Sequence, residues 1–362
     1  SGIKNGVVID IENTSKSISV CINQLERMID KEISEIYLSV SDKDSLKIKN
    51  KGVVSISSND MEIATNDVNR VLNAAKVLSI PSDKEIIDII PIQYIIDGYD
   101  NIKDPVGMRG TRIEVEADLI LANSTLIDNI IKSVNKTSLK VVGIILNSNA
   151  MLNVLTNEEK KLGSCVIDVG FQSTDVYIYK NSQLKKYKRI PLGGNNITND
   201  ISICLKISYN EAEKLKLKYG CLNMNDINKE KIMLRTDNYL DDIEVDLDML
   251  NQVIEARVEE ICLFIKEILV QSDFYEDITE LVLVGGGVAN IKNIENYFLN
   301  IFNKPVRINS PKYVGAANPI FSLAIGIIEY YKDKIIFNDV DRGIDENENT
   351  MNKIKRFFRN LI

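Results

Sequence analysis

Three glycine-bearing turns constrain what this chain of 362 residues can fold into. The first lies in CVIDVGFQSTDVYIY, residues 165–179, which reads as a strand, a tight polar turn and a second strand. Asp168 ends the first strand; Gly170, Ser173 and Thr174 turn the chain; Asp175 opens the return. Amides and hydroxyls in such a turn can donate to phosphate oxygens, and a carboxylate at Asp168 can hold a magnesium ion through water. The second is GGNNITND, residues 193–200, where Gly193 and Gly194 stand directly before a helix and open its first amides to an anion. The third is VLVGGGVANIKNIENYF, an apolar strand running into Gly285, Gly286 and Gly287 and then a helix, with room for a ligand close to the backbone. Each alone is equally an ordinary polar hairpin, a plain helix cap or a common strand–glycine–helix unit. Their order and spacing together are far more specific.

The rest of the composition narrows the chemistry. There is no histidine, which removes Ser-His-Asp and Cys-His catalysis and the commonest metal ligand. Any chemistry must rest on carboxylates, hydroxyls, lysines and backbone amides. The five cysteines are scattered with no CxxC pair, as in a protein of reduced thiols. A net charge of −8 argues against nucleic acid as a partner. No run of 18 apolar residues is present, so no membrane-spanning helix is expected.

Along the chain, GVVIDIENTSKSISVCINQLERMIDKE allows a hairpin around ENTS or a short lead-in followed by a helix. The spacing of Ile18, Cys21, Ile22, Leu25, Met28 and Ile29 favours the helix, with Asn13 or Thr14 as its cap. A strand at ISEIYLSVS and a helix at NDVNRVLNAAKVLSI follow, the latter stopped by Pro81. Residues 82–160 read as a compact α/β block. After the hairpin come a strand at KKYKRIPLGG and helices from about Ile197 to Leu205 and Tyr209 to Tyr219. Residues 221–248 read as irregular, 248–271 as a long helix, PVRINSP as a last strand and PIFSLAIGIIEYY as a last core helix. Residues 336–350 are acidic and asparagine-rich, a linker by composition.

The succession of hairpin, GG-helix, EAEKLKLKYG and LVGGG resembles the actin-like ATPases, and more narrowly the bacterial cell-division family FtsA. GVVIDIENTSKSI, IIPIQYIIDGYDNIKDPVGMRGTRIEVEADLI, NVLTNEEKKLG, IPLGGNNITNDI and LVGGGVANI carry that likeness across essentially the whole chain. It implies an α/β, actin-like (ribonuclease H-like) two-lobed fold with a family-specific inserted subdomain. The implied division is 1–81 and 161–190 in subdomain 1A, closed by a helix at 316–335; 82–160 as the inserted subdomain 1C; 191–220 and 271–315 in 2A; and 221–270 in 2B. The resemblance further implies ATP and Mg as cofactors, with phosphate contacts at Asp168, Gly170, Ser173, Thr174, Asp175, Gly193 and Gly194. It implies ribose and adenine contacts at Glu213 and Lys216, and an adenosine-side loop at Gly285–Gly287. Implied partners are the C-terminal peptide of FtsZ on 221–270, a second copy head to tail through 82–160, other division proteins and an anionic membrane. The place is the cytoplasmic face of the cell membrane at the division site.

Departures from the family pattern matter as much. Phe171 and Gln172 stand where the family usually has glycines. A positive φ at either would cost about 1–2 kcal/mol, and the Phe171 ring would lie where a terminal phosphate belongs. GVVIDIENT places residue 1 well after the β-hairpin with which the family begins, so the first phosphate loop is expected to be missing and the chain, opening on Ser1, to be a fragment. From Val141 to Thr156 there is no Asp or Glu to orient an attacking water. The expectation is weak ATP binding, with slow hydrolysis or none. An actin-superfold phosphotransferase or ATPase, or a scaffold like the pilus-assembly actin homologue, is the alternative.

The closing MNKIKRFFRNLI bears on that choice. Wound as a helix, it puts Met351, Ile354, Phe357, Phe358, Leu361 and Ile362 on one side and Lys353, Lys355, Arg356 and Arg359 on the other. Such a segment can sink apolar groups below lipid headgroups while its cations meet anionic lipid. A terminal helix docked on the protein's own core is the other way to use it.

Overall fold

The computed structural model describes residues 2–58, 60–222, 231–234 and 243–340, in two compact units. One holds the described residues up to Asn147 and from Tyr331 onward; the other holds the described residues of 148–330. The closing basic segment and most of the expected linker lie outside the described residues.

The first unit opens with a two-residue pair, β1 (Ile3–Lys4) and β2 (Val7–Val8), and then α1 (Ile11–Ile29). The helical reading of this segment therefore holds. Its cap is Asp10 rather than Asn13 or Thr14, because the Asp10 carboxylate accepts the Asn13 amide at 2.9 Å. β3 (Glu35–Val40) pairs in parallel with β8 (Lys140–Leu146). Tyr331 stacks on Tyr37 with ring centroids 4.1 Å apart. Gly143 makes room for it, since a Cβ there would lie 2.7 Å from the Tyr331 hydroxyl.

An antiparallel sheet of order β4-β7-β5-β6 forms from β4 (Leu46–Ser55), β5 (Lys84–Ile96), β6 (Tyr99–Ile102) and β7 (Arg112–Asn123). Ile113, Val115 and Ala117 alternate toward α2 (Thr65–Ala75), where Val71 and Ala75 complete a dry cluster. Each buried valine or isoleucine contributes roughly 1.5–3 kcal/mol. Gly52 lets the helix approach, since a Cβ there would stand 2.2 Å from the Val71 carbonyl oxygen. On the other face Glu116 pairs with Lys51 at 2.5 Å and Asp118 with Lys47 at 2.6 Å. Pro91 sits at a register shift of β5, where a missing amide breaks no ladder bond. The block expected over 82–160 is thus differently bounded. Its sheet begins at Leu46, because β4 and β7 pair over ten residues, while β8 leaves it for β3. α3 (Ser124–Asn135) connects the two sheets.

The second unit is built on a five-stranded sheet of order β11-β10-β9-β14-β15. The strands are β9 (Ser164–Val169), β10 (Thr174–Lys180), β11 (Gln183–Ile190), β14 (Glu280–Val284) and β15 (Val306–Ile308). β9, β14 and β15 run parallel, and β10 and β11 return antiparallel. Cys165, Ile167, Val169, Val176 and Ile178 face a core shared with α6 (Gly194–Leu205), α7 (Tyr209–Tyr219), α8 (Leu247–Val270) and α9 (Ile294–Phe302). Val166, Tyr177, Tyr179, Val282 and Val284 face the other way, onto Met151, Leu155 and Leu323. Those last three come from α4 (Asn147–Met151), the turn after it and α10 (Ser322–Val340). Burial on both faces explains the apolar runs at 165–167 in β9 and 281–284 in β14. It also places 161–190 with 271–315 in one sheet, where separate subdomains were expected. Between α4 and β9, α5 (Asn157–Leu162) carries a Thr156–Glu159 capping box.

Two further expectations change. Residues 221–248 are not wholly irregular, because β12 (Lys231–Leu234) and β13 (Ile243–Asp246) form an antiparallel pair. α10 runs to Val340, so the first five residues expected in the linker are helical.

Candidate nucleotide site

The three glycine turns meet in the second unit, backbone to backbone. The hairpin closes with the Gly170 amide donating to the Ser173 carbonyl at 2.9 Å. Gly194 donates to the Gly170 carbonyl at 2.9 Å and Asn195 to the Phe171 carbonyl at 2.8 Å. Gly287 donates to the Val169 carbonyl at 2.8 Å. Side chains would not fit here: a Cβ on Gly193 would lie 2.7 Å from the Gly170 oxygen, one on Gly194 2.7 Å from the Gly287 Cα, and one on Gly287 2.7 Å from the Gly170 oxygen. Gly285 needs its glycine twice, for a φ of +84° and because a Cβ would stand 2.4 Å from Asp168 Oδ1. Gly286 would meet only a methyl of Ile320, at 2.9 Å.

This arrangement changes the role of the second turn. The Gly193 amide donates to Asn196 Oδ1 at 3.0 Å and the Asn196 amide back to the Gly193 carbonyl at 3.0 Å. With Gly194 and Asn195 on the hairpin, the first four amides at the start of α6 all have protein acceptors. Gly194 and Asn195 latch the hairpin, and Gly193 and Asn196 close the helix cap. The amides of Phe171 and Ser173, in contrast, have no acceptor among the described residues, so the hairpin tip fits phosphate oxygens. Phe171 and Gln172 take no positive φ, so the expected backbone strain does not arise, and the Phe171 side chain is 60% exposed.

Asp168 and Asp175 lie directly opposite each other on β9 and β10, hence on one face of the sheet. Asp175 is fully occupied. Arg189 on β11 donates from Nε at 2.7 Å and Nη2 at 2.8 Å, and the Tyr187 hydroxyl donates at 2.7 Å. Asp175 is therefore a structural anchor for the hairpin, and Thr174 is another, its hydroxyl donating to the Leu192 carbonyl at 2.8 Å. Asp168 accepts no hydrogen bond among the described residues. Burial, and then the charge of Asp175, push its carboxyl up to about 7 against the pull of Arg189. An orphan carboxylate of this kind fits a hydrated magnesium ion. The Arg189–Tyr187 network escaped the sequence reading; two polar side chains two residues apart on a strand were its only trace.

Glu213 and Lys216 sit one turn apart on α7 and are joined at 2.8 Å. The Lys216 ammonium also donates to Thr198 Oγ1 at 2.9 Å and the Gly194 carbonyl at 3.3 Å. Thr198 bridges to the same Glu213 oxygen, Oε2. Glu213 Oε1 has no partner among the described residues, and the side chain is 34% exposed. That oxygen fits the hydroxyls of a ribose. Of the residues expected to meet nucleotide, Asp168, Gly170, Ser173, Glu213 and Gly285–Gly287 thus stand around one junction, while Asp175, Thr174, Gly193, Gly194 and Lys216 build it.

Comparison with known proteins agrees with this reading of the fold. A family model described as "Cell division protein FtsA" matches residues 165–326, and one described as "SHS2 domain inserted in FTSA" matches 46–121. The latter range coincides with the sheet that starts at Leu46. The chain is 34% identical to cell division protein FtsA of Bacillus subtilis over 341 residues, covering 91% of this chain and 75% of that protein. It is 30% identical to that of Borreliella burgdorferi over 368 residues, covering 99% and 89%. Among solved structures, MreB5 of Spiroplasma citri bound to ADP superposes with a TM-score of 0.59 at 15% identity, covering 95% of this chain and 81% of that one. The PilM–PilN type IV pilus biogenesis complex gives 0.56 at 14% identity, covering 90% and 87%. The chain has the actin-like fold with the inserted SHS2 domain, and it belongs to the FtsA family of cell-division proteins.

Proposed function

We propose that this protein is a division scaffold that tethers FtsZ filaments to the cytoplasmic face of the membrane at the division site, assembles with copies of itself, and binds ATP with Mg weakly. The observation that carries this reading is the closing MNKIKRFFRNLI with its split of apolar and basic sides. Each large side chain buried in lipid contributes about 1.5–3 kcal/mol. Each cation adds about 1 kcal/mol at an anionic surface, and ordering the backbone costs about 1–2 kcal/mol per residue. A single copy therefore binds weakly and reversibly, and assembly raises avidity steeply. Among the described residues no helix is long and apolar enough to cross a membrane. Co-sedimentation with anionic liposomes tests it. The intact chain pellets, and Phe357→Glu with Phe358→Glu does not; equal pelleting of both would remove the tail as the anchor.

A groove of about 430 Å³ between α6 and α8 supports a peptide site on the second unit. Ile203, Val253 and Ala256 line it, with Arg257 held to Asp200 at 2.6 Å. This is the place the account gives the FtsZ C-terminal peptide. For self-assembly, the SHS2 domain offers exposed Tyr99, Val106 and Met108.

A second reading, an ATPase proper, draws on the orphan Asp168 and the free amides at the hairpin tip. Phosphate release separates the two. The scaffold reading expects slow or no turnover, and tighter ATP binding after Phe171→Gly with Gln172→Gly. Brisk turnover by the unaltered chain would favour the ATPase.

A further inference from the structure

α8 has two apolar sides. Ile254, Val258, Ile261, Ile265 and Leu269 face the core. On the opposite side Met249, Ala256, Leu263 and Val270 recur at every seventh residue, and all four are exposed, Leu263 by 59% and Val270 by 61%. Single exposed apolar side chains are ordinary. Four in register along one helix make a seam of the kind a second helix fills. Ala256 belongs to the groove between α6 and α8; Leu263 and Val270 lie one and two heptads beyond it.

Charge says what fits the seam past the groove. Glu259, Glu260 and Glu267 stand one turn from Leu263, at four and three residues before it and four after it. The helix carries five carboxylates against two cations, and both cations are engaged: Arg257 by Asp200 and Glu260, Lys266 by the Ile301 carbonyl at 3.2 Å. An apolar seam with an acidic border fits a helix with an apolar side and a basic border. The sequence contains one. MNKIKRFFRNLI has four cations and no acidic side chain, and Ile354, Phe358 and Leu361 follow the three- and four-residue steps of a helix face. Glu259–Val270 and 351–362 are each twelve residues, about 18 Å as helices.

We propose that the outer side of α8 receives the closing segment of a second copy, with Leu263 and Val270 against its apolar side and Glu259 and Glu267 against its cations. This rests on the self-assembly reading above. It adds to the contact at the SHS2 tip and is too weak to hold copies together without it. Two different surfaces meet, so the contact runs head to tail and propagates. The apolar side that lies on α8 is the one offered to lipid, so a segment serves one of them at a time.

Sedimentation velocity on the 362-residue chain, without lipid, gives the concentration at which half of it is assembled. Glu259→Lys with Glu267→Lys should raise that concentration about tenfold, because attraction becomes repulsion at two places. Lys355→Glu with Arg359→Glu should raise it as far. An equimolar mixture of the two variants should assemble like the parent, since each altered surface then finds its complement on the other chain. If the α8 variant does not fold, Leu263→Gln takes its place and should also weaken assembly. Unchanged assembly in the α8 variants would overturn the inference, whatever the segment variant does. Weakening without recovery in the mixture would overturn it too, and recovery only in one chain carrying all four substitutions would place the segment on its own chain. A parent that stays monomeric at every concentration would sink the self-assembly reading itself, and this contact with it.

Discussion

Gly194 shows what a single residue decides here. From the sequence a glycine pair before a helix reads as a place for an anion, since that is what the local geometry permits. In the fold Gly194 is needed because the Gly287 backbone, far away in sequence, lies 2.7 Å from where a Cβ would be. Local pattern cannot reveal a partner that arrives from another turn. Gly194→Ala must push one backbone off another, and we expect a loss of about 1–3 kcal/mol in urea denaturation. Gly286→Ala, facing only the end of the Ile320 side chain, should cost less. A larger loss for Gly286→Ala would contradict the packing role given to Gly194. The other roles follow the same logic. Asp168 and Glu213 keep an unpaired carboxylate oxygen among the described residues, whereas Lys216 and Asp175 are held by Thr198 and Arg189, partners that tertiary packing sets and local sequence does not reveal.

At the scale of elements, helices and buried strands were legible and an edge strand was not. β9, β10, β14 and α7 follow from apolar runs and a capped amphipathic segment. β4 was missed because LKIKNKGVVS carries three lysines, which suit an unpaired sheet edge but blur its alternation. The parallel core of the second unit holds a different feature. Glu159 on α5 accepts Arg307 Nε at 2.7 Å and Nη2 at 2.8 Å, and Glu280 on β14 lies 4.0 Å from the same Nε. Burial opposes charge on Glu159, but Arg307 and the Thr156 amide hold it down to about 2; burial and its hydrogen bond with Glu159 push Glu280 up to about 6. A carboxyl with a raised folded value stabilises in its protonated form, so this contribution is full below the ordinary glutamate range and is lost as pH rises through about 6. Glu280→Gln keeps the donor at every pH. It should therefore raise the melting temperature at pH 7.5 and leave it unchanged at pH 5. A drop of equal size at both values would show that Glu280 serves as an anion.

For the whole molecule, the actin-like class was legible from the order of the glycine turns, whereas the division into parts was not. Strand pairing, not sequence proximity, joins 164–190 to 280–308 and carries Leu46–Ser55 into the SHS2 sheet. Two surfaces carry the proposed scaffold role. Tyr99 is 78% exposed on the SHS2 domain. Tyr99→Glu with Met108→Glu should abolish self-assembly in sedimentation velocity while leaving the fold intact, and undiminished assembly would move the contact elsewhere. The most direct measurement of the tether is a three-component one: FtsZ pelleted with anionic liposomes by the intact chain, by the chain ending at residue 350, and with no chain added. The intact chain should bring FtsZ down, whereas the shortened chain should bind the FtsZ C-terminal peptide in solution yet leave FtsZ in the supernatant. If the shortened chain brings FtsZ to the liposomes as well as the intact one, the tethering role assigned to MNKIKRFFRNLI is wrong.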